Sequence, residues 1–293
     1  MVYLKSIELL NEINEHNLIC GQRNIHNNTY PLRIFPPKEL THIDFAPITC
    51  FYGGNGSGKT TLINIIASSL NASKRNISLK GEIFDDYVKY VKRSIETAHT
   101  SECKEIKFIM SDDVFDYLLD TRAINSRVNR RKDDLANEYI KNKYTESKDL
   151  NIAFEEYDLL KDRYDSMKMT SSKYIRSRLR NNTIIEASNG ETALDFWQNE
   201  IRDNALYIID EPENSLSAEN QIKLKDFIEE SSRFYNCQFI IATHSPFLLS
   251  LTDALIYDLD CAPARNKKWT ELENVRVYYN FFKENENKFN KYT

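Results

Sequence analysis

The chain is poor in glycine. Only seven of its 293 residues are glycine, and four of them lie in one eight-residue stretch, GGNGSGKT, which begins at Gly53. Neither glycine nor proline occurs between Gly81 and Gly190, so nothing in that span forces a helix to end. These two observations predict long helices in the middle of the chain and a specialised turn at the glycine-rich stretch.

Features of secreted and membrane-spanning proteins are also missing. The five cysteines lie far apart with no C-x-x-C pair. No apolar run approaches the roughly 18–20 residues that span a bilayer, and the N-terminus carries acidic residues without a small-residue cleavage site. We therefore expect a cytoplasmic protein with reduced thiols and no membrane segment. The net charge of −5 argues against general adhesion to nucleic acid but leaves room for a local basic patch.

Short apolar runs alternate with amphipathic segments. The segments predicted as strands are YLKSIEL, ITCFY, EIKFIM, ALYIID, QFIIATH and ALIYDL. Helical spacing occurs in TLINIIASSL and AENQIKLKDFIEESSRF, and we also expect a helix over EIFDDYVKYVKRSIE, residues 82–96. Alternating strands and helices predict an α/β fold with a mostly parallel central sheet, to which an N-terminal antiparallel β portion is added.

Residues 121–180 differ from the rest of the chain. They are helix-prone and charge-dense, with 15 Lys/Arg against 10 Asp/Glu, whereas the whole chain is acidic. We predict a helical arm, 121–180, inserted into a compact head formed by residues 1–120 and 181–293. An ordinary solvated helical subdomain is an equally good interpretation of the same composition.

The glycine-rich stretch satisfies the pattern G-x-x-x-x-G-K-[ST]. It follows a predicted strand and precedes a predicted helix, which is the context that a phosphate-binding loop requires. Bare backbone lets phosphate oxygens approach successive N–H groups, and the helix N-terminus adds partial positive charge. Lys59 is then expected to contact the β- and γ-phosphates, and the Thr60 hydroxyl to coordinate Mg²⁺.

Two acidic residues follow the apolar strand ALYIID. Asp210 ends this strand, where its carboxylate can reach Mg²⁺ directly or through water. Glu211 comes next and is our candidate general base for the attacking water. An Asp-Glu pair after a strand is weak evidence by itself, and it gains weight from the phosphate loop.

Two further elements are expected near the phosphates. His244 follows the apolar strand QFIIATH, at the edge of the sheet where α/β proteins bind ligands, and we expect it to contact the γ-phosphate. The segment Ser188-Asn189-Gly190-Glu191 opens a predicted helix, so its N-terminus is a second phosphate-seeking element.

In this order, the motifs resemble those of ABC-type ATPases of the SMC/RecF-like, non-transporter branch. The resemblance covers about residues 40–258 and implies a P-loop NTPase head. It also implies a homodimer in which ATP is bound between two heads, with Mg²⁺ as the metal cofactor.

The same resemblance implies the following roles for residues of this chain. The Walker A loop is Gly53, Gly54, Asn55, Gly56, Ser57, Gly58, Lys59, Thr60 and Thr61. The signature acting in trans is Ser188, Asn189, Gly190 and Glu191; the D-loop is Asn214, Ser215, Leu216 and Ser217. Walker B and the catalytic glutamate are Asp210 and Glu211, with His244 as the switch histidine.

The chain departs from that pattern in two places. The signature lacks a double glycine, and the Q-loop glutamine has no clear counterpart, with Ser111 or Asp112 at its expected place. Both departures disfavour a transporter subunit. The motifs YIIDEPENSLS and FIIATHSPFLL and the short arm resemble small single-chain ATPases of bacterial defence loci. That resemblance implies a separately encoded effector, often a nuclease, and a role in antiphage defence.

Two basic clusters occur in the predicted arm. Their members are Arg127, Arg130, Arg131 and Lys132, and then Lys173, Arg176, Arg178 and Arg180. They could bind a nucleic-acid backbone, or they could form a solvated face or meet an acidic partner. Three functions therefore remain open: an ATPase that gates a partner, a DNA-repair ATPase of RecF/SMC type that binds DNA directly, and a structural ATP-binding module with little turnover.

Overall fold

The structure is a computed structural model that describes residues 1–21, 29–75, 81–96, 102–144, 157–179 and 189–289. The chain divides into two compact units, of which the first comprises Met1–Phe115 with Asn189–Thr293 and the second Asp116–Ser188. The residue bounds inferred above for the head and the arm, 1–120 with 181–293 and 121–180, stay a proposal.

A seven-stranded sheet forms the centre of the first unit. Its order is β10-β9-β3-β8-β7-β6-β4, and every pairing is parallel except that of β10 with β9. The strands are β3 (Ile48–Tyr52), β4 (Ser73–Lys74), β6 (Glu105–Met110), β7 (Ala205–Asp210), β8 (Gln238–Ala242), β9 (Leu255–Asp258) and β10 (Arg265–Asn266). Strands β3, β7 and β8 are buried at every residue, as expected when helices cover both faces of a parallel sheet. The predicted fold class is confirmed.

A second, antiparallel sheet contains the N-terminal strand. Its order is β2-β1-β5, with β1 at Leu4–Glu8, β2 at His42–Asp44 and β5 at Lys92–Ile95. The prediction of a helix over residues 82–96 is therefore wrong in its second half. Helix α3 (Glu82–Tyr90) stops at Tyr90, Val91 turns to an extended conformation with ψ 123°, and Lys92–Ile95 pairs with β1. Because β1 offers a free edge, long-range pairing overrides the local helical preference.

Helices flank the sheet and continue into the second unit. Within the first unit these are α1 (Glu12–Cys20), α2 (Lys59–Ser69), α3 (Glu82–Tyr90), α7 (Asn189–Glu200), α8 (Ala218–Phe234), α9 (Pro246–Leu249), α10 (Glu273–Glu284) and α11 (Glu286–Phe289). Helix α4 (Ser111–Tyr144) begins in the first unit and ends in the second, which also contains α5 (Tyr157–Lys168) and α6 (Ser171–Arg178). No helix of the described residues is long and apolar enough to cross a membrane.

Aromatic packing forms the small core of the second unit. Leu135, Tyr139 and Tyr174 are buried, and the rings of the two tyrosines lie 5.4 Å apart between centroids. The Tyr139 hydroxyl donates to the main-chain oxygen of Met169 at 3.1 Å. These contacts join α4 to the segment that leads into α6.

One buried amide ties the N-terminal strand to the central sheet. Gln238, at the start of β8, is fully buried, and its Oε1 accepts from the N–H groups of Tyr3 at 2.7 Å and Leu4 at 2.9 Å. Its Nε2 donates to the carbonyls of Leu4 at 2.9 Å and Ala46 at 3.2 Å. Three buried main-chain groups at the N-terminal strand, and one part-buried carbonyl, thus bond to a single side chain.

We expect Gln238→Ala to destabilise the first unit by roughly 3 kcal/mol, because it leaves buried main-chain groups without partners. Urea unfolding followed by tryptophan fluorescence measures this, since Trp197 and Trp269 both lie in that unit. Gln198→Ala, at an exposed position of α7, is the control and should change the unfolding free energy by less than about 0.5 kcal/mol. Equal urea midpoints of unfolding for Gln238→Ala and Gln198→Ala would contradict the role assigned to Gln238.

Candidate nucleotide site

The glycine-rich loop connects β3 to α2 in a shape that side chains would not permit. Gly58 is the N-terminal cap of α2 at φ 96°, and a Cβ there would lie 2.8 Å from Cγ2 of Ile34. A Cβ on Gly53 would lie 2.4 Å from Oγ of Ser57. Crowding by Ser57 within the loop explains Gly53, and the positive φ together with the neighbouring Ile34 explains Gly58. The loop leaves main-chain N–H groups at the start of a helix, as an anion site requires.

Lys59 is folded into this loop. Its side chain is only 5% exposed, and Nζ donates to the carbonyls of Gly53 at 2.7 Å and Gly54 at 3.2 Å. Nζ also lies 3.9 Å from Oε1 of Glu211. The cation is thus held within the turn by main-chain oxygens, next to the carboxylate at the end of β7.

Asp210 is buried at the C-terminal end of β7, beside the first turn of α2. The pKa of this carboxyl is raised to about 6, chiefly by burial; the charges of Glu211 and Glu213 act in the same direction, whereas a hydrogen bond with Thr60 and the charge of Lys59 oppose the shift. Its Oδ1 is buried, and among the described residues it has no hydrogen-bond partner. A buried oxygen without a partner destabilises the fold unless a bound ligand supplies the missing contact.

The pair formed by Thr60 and Asp210 fits a magnesium ion. A hydroxyl and a carboxylate with an unsatisfied oxygen are hard ligands of the type that Mg²⁺ prefers, and Mg²⁺ commonly completes its octahedron with water and substrate phosphates. The described residues contain no cluster of three or more His, Cys, Asp or Glu side chains that could hold a metal alone. The protein ligands present therefore suit a metal that is held jointly with a phosphate.

Glu211 sits at a strained position immediately after β7. Its φ of 49° is left-handed, which is uncommon for a non-glycine residue and is frequently found at functional sites. Its main-chain N–H donates to the carbonyl of Ala242 at 2.9 Å, which links the turn to β8. Its Oε1 lies 3.9 Å from Nζ of Lys59 and 3.8 Å from Nδ1 of His244. Two of the three residues predicted as catalytic, Lys59 and His244, therefore approach one carboxylate oxygen of the third, Glu211.

His244 follows β8 and is half exposed. Its Nδ1 lies 3.2 Å from Oε1 of Glu213, closer than to Glu211. Its main-chain oxygen accepts from Nδ2 of Asn274, a residue of α10 whose own N–H donates to the hydroxyl of Tyr52 at 3.1 Å. Helix α10 thus supports the loop that contains His244.

Sequence reasoning missed three residues at this site. Glu213 and Asn274 hold the histidine loop, and Asp260 accepts from the N–H of Gly54 with Oδ1 at 3.0 Å and Oδ2 at 2.9 Å. Glu213 carried a detectable signal, because it is the third acid in the run DEPE. Asp260 and Asn274 carried none, since each reaches the site from a loop or helix distant in sequence.

The remaining motif residues are described in part. In the predicted D-loop, Ser215 is left-handed at φ 69°, Leu216 is buried, and Ser217 caps α8 by accepting from the N–H of Asn220 at 3.3 Å. In the predicted signature, Ser188 lies outside the described residues, and Asn189, Gly190 and Glu191 begin α7. For the missing Q-loop glutamine, Ser111 and Asp112 follow Met110, which lies level with Asp210 in the sheet. The roles assigned to these residues stay predictions.

The basic residues of the second unit differ in their surroundings. Arg178 donates to Asp162, and also to Asp165 at 3.1 Å, and its guanidinium lies 3.7 Å from the ring centre of Tyr174. Arg131 lies 3.6 Å from Glu138. The exposed side chains are Arg127, Arg130, Arg131 and Lys173, whereas Arg180 and the side chain of Arg176 lie outside the described part. Arg178 is thus engaged within its own unit.

Comparison with known proteins identifies one family. The family described as RecF/RecN/SMC N terminal domain matches residues 37–259, which include the glycine-rich loop, Asp210 and His244. Among solved structures, the chain is similar to the SMC head domain from Thermotoga maritima, with 13% sequence identity and a TM-score of 0.32 over 91% of this chain and 98% of that chain. A search of curated protein sequences found no match.

The raised pKa of Asp210 predicts a pH-dependent stability cost. Because its folded-state pKa of about 6 lies above the ordinary 3.8, this group favours folding at low pH and loses that contribution as the pH rises through about 6. Asp210→Asn has no charge to bury, so its stability relative to wild type should grow by about 2–3 kcal/mol between pH 4 and pH 8. Urea unfolding across this range measures the difference.

The control is Asp226→Asn, which replaces an exposed carboxylate on α8. Its stability relative to wild type should be nearly constant over the same pH range. An identical pH dependence for wild type and Asp210→Asn would show that the buried carboxyl does not carry this cost.

Proposed function

Because the chain belongs to the RecF/RecN/SMC N-terminal domain family, an ABC-type ATPase domain, we propose that it binds ATP with Mg²⁺ and hydrolyses the terminal phosphate. The observation that carries the proposal is the convergence of Lys59 and His244 on Oε1 of Glu211, at 3.9 and 3.8 Å. This cluster lies next to a glycine-rich helix N-terminus and next to the unsatisfied oxygen of Asp210.

Binding of the triphosphate is assigned to the loop from Gly53 to Thr61. The main-chain N–H groups at the start of α2 and the Lys59 ammonium are the donors for the phosphate oxygens. Thr60 and Asp210 are the protein ligands of Mg²⁺, which when bound neutralises charge on the phosphates. Ser57, whose Oγ is buried and has no partner among the described residues, is a further donor for a phosphate oxygen.

Hydrolysis is assigned to the carboxylate of Glu211. Its Oε1 orients a water molecule and accepts its proton as the water attacks the terminal phosphate. Nζ of Lys59 and Nδ1 of His244 lie 3.9 and 3.8 Å from this oxygen, so both residues can supply positive or donor groups beside the developing charge.

We further propose that ATP joins two copies of the chain. The order of the motifs supports a sandwich in which Ser188 to Glu191 of one copy close over the phosphate held by the other. An apolar groove of about 500 Å³ adjoins the site and is lined by His244, Trp269, Tyr278 and Phe282 among others. Exposed aromatic surfaces of this kind mark interaction sites, which supports a protein partner at this edge.

The biological setting is proposed from motif resemblance. The chain would gate a separately encoded effector, such as a nuclease, in bacterial antiphage defence. A DNA-repair or recombination ATPase of RecF/SMC type is the second candidate. Its support is the family match together with the exposed Arg127, Arg130 and Lys173 of the second unit.

Single substitutions of Lys59 and Glu211 should separate ATP binding from ATP hydrolysis. We expect Lys59→Ala to lose ATP binding, because the loop loses its buried cation. Glu211→Gln should retain ATP affinity and lower kcat by about 10²–10⁴-fold, since the amide cannot accept the proton. Phosphate release measures kcat, and isothermal titration calorimetry measures ATP affinity. Light scattering should detect an ATP-dependent dimer of Glu211→Gln.

The matched control is Glu229→Gln on α8, where the carboxylate accepts from the N–H of Thr252 at 2.7 Å, away from the site. Its kcat should stay within about twofold of wild type. Equal turnover of wild type and Glu211→Gln, with ATP bound by both, would favour a structural ATP-binding module instead.

Direct DNA binding by the arm has a salt-dependence test. If Arg127 and Arg130 neutralise phosphates, the double variant Arg127→Glu/Arg130→Glu should reduce the slope of log Kd against log salt by about 2. Fluorescence anisotropy with duplex DNA measures the slope. The control reverses two exposed lysines of the first unit, Lys89→Glu/Lys104→Glu, and should leave the slope unchanged. Equal slopes for the arm variant and wild type would exclude these two arginines as the phosphate contacts.

A further inference from the structure

Glu213 is a buried carboxylate that the proposed chemistry does not use. It lies in the turn between β7 and α8, three residues after Asp210, and is only 6% exposed. Burial of a carboxylate is strongly unfavourable unless hydrogen bonds compensate it. Its contacts therefore indicate what the turn requires of this residue.

All the described contacts of the carboxylate are made by one oxygen with one loop. Oε1 accepts from the Thr243 hydroxyl at 2.8 Å, the N–H of His244 at 2.8 Å and the N–H of Ser245 at 3.2 Å. These are three consecutive residues immediately after β8. The carboxylate thus fixes the main chain that carries His244, by bonds that are short enough to be charge-assisted.

The same oxygen faces the imidazole ring. Nδ1 of His244 lies 3.2 Å from Oε1 of Glu213 but 3.8 Å from Oε1 of Glu211, so the ring lies closer to Glu213. Because Oε1 of Glu213 already accepts from two main-chain N–H groups and the Thr243 hydroxyl, it has no proton to donate. A lone pair on Nδ1 at this distance would be repelled by the carboxylate, so the contact favours a ring proton on Nδ1, which leaves Nε2 available.

We propose that Glu213 is a positioning residue: it holds the loop of His244, keeps the ring proton on Nδ1 and thereby directs Nε2 to the terminal phosphate. The last part rests on the proposed ATPase function, and the first two do not. In this arrangement Glu211 is relieved of the histidine and remains available to the attacking water. Glu213 acts through His244 and does not contact the phosphate.

The position of the proton can be measured without nucleotide. In wild-type protein with ¹⁵N-labelled histidine, long-range ¹H–¹⁵N correlation spectra distinguish a proton on Nδ1 from one on Nε2, and His244→Gln assigns the signal. We expect Nδ1 of His244 to carry a proton in wild type. In Glu213→Gln the amide can rotate and donate to Nδ1, so the signal should shift towards the Nε2 form. A wild-type ring protonated on Nε2 alone, or identical signals in the two proteins, would overturn the proposal.

Turnover provides the second readout. Glu213→Gln should lower kcat for ATP hydrolysis at least tenfold while the Kd for ATP stays within twofold, whereas Glu229→Gln should change neither. Unchanged kcat, or a loss of ATP affinity in the same proportion as kcat, contradicts a positioning role. If wild type itself neither binds nor hydrolyses ATP, the proposed function fails, and the NMR experiment still decides whether Glu213 sets the tautomer of His244.

Discussion

The parallel register of three neighbouring strands determines where the chemistry is assembled. Ala242 of β8 lies level with Phe51 of β3 on one side and with Asp210 of β7 on the other. Each of these strands ends within two residues of that level, so the glycine-rich loop, the Asp-Glu pair and the histidine loop all leave the sheet at one edge. Parallel pairing makes this possible because it brings carboxyl ends together, whereas an antiparallel neighbour would place its turn at the opposite edge.

This edge concentrates buried ionisable groups to an unusual degree. Lys59, Asp210 and Glu213 are each more than nine-tenths buried, although such residues are almost never buried unless they are paired. Lys59 is compensated by main-chain carbonyls. Glu213 and Asp210 are compensated only in part: Oε1 of Glu213 accepts from main-chain N–H groups, but its Oε2, like Oδ1 of Asp210, is buried without a hydrogen-bond partner among the described residues. At Asp210 the unsatisfied oxygen lowers the stability of the fold at a place where a bound cation would supply the missing contact.

Outside this edge, polar side chains serve the architecture. Gln238 is as buried as any apolar residue, yet its side chain bonds two N–H groups and two carbonyls, of Tyr3, Leu4 and Ala46. In the second unit, Arg178 lies on the ring of Tyr174 between two aspartates. A cation that sequence alone would count as a surface charge is therefore part of a local core. The number of basic residues in the sequence therefore overestimates the number of cations available to bind a nucleic acid.

The sequence by itself determined the local elements: the glycine-rich turn, the apolar strands that flank it, and the residues that end those strands. These are coded by composition within a few neighbouring residues, so they could be predicted. The tertiary structure alone decided the rest. Lys92–Ile95 became a strand because β1 had a free edge, although the local pattern favoured a helix. Glu213, Asn274 and Asp260 entered the site because the fold brings segments 30 or more residues apart within hydrogen-bonding distance, and no local pattern encodes such a contact.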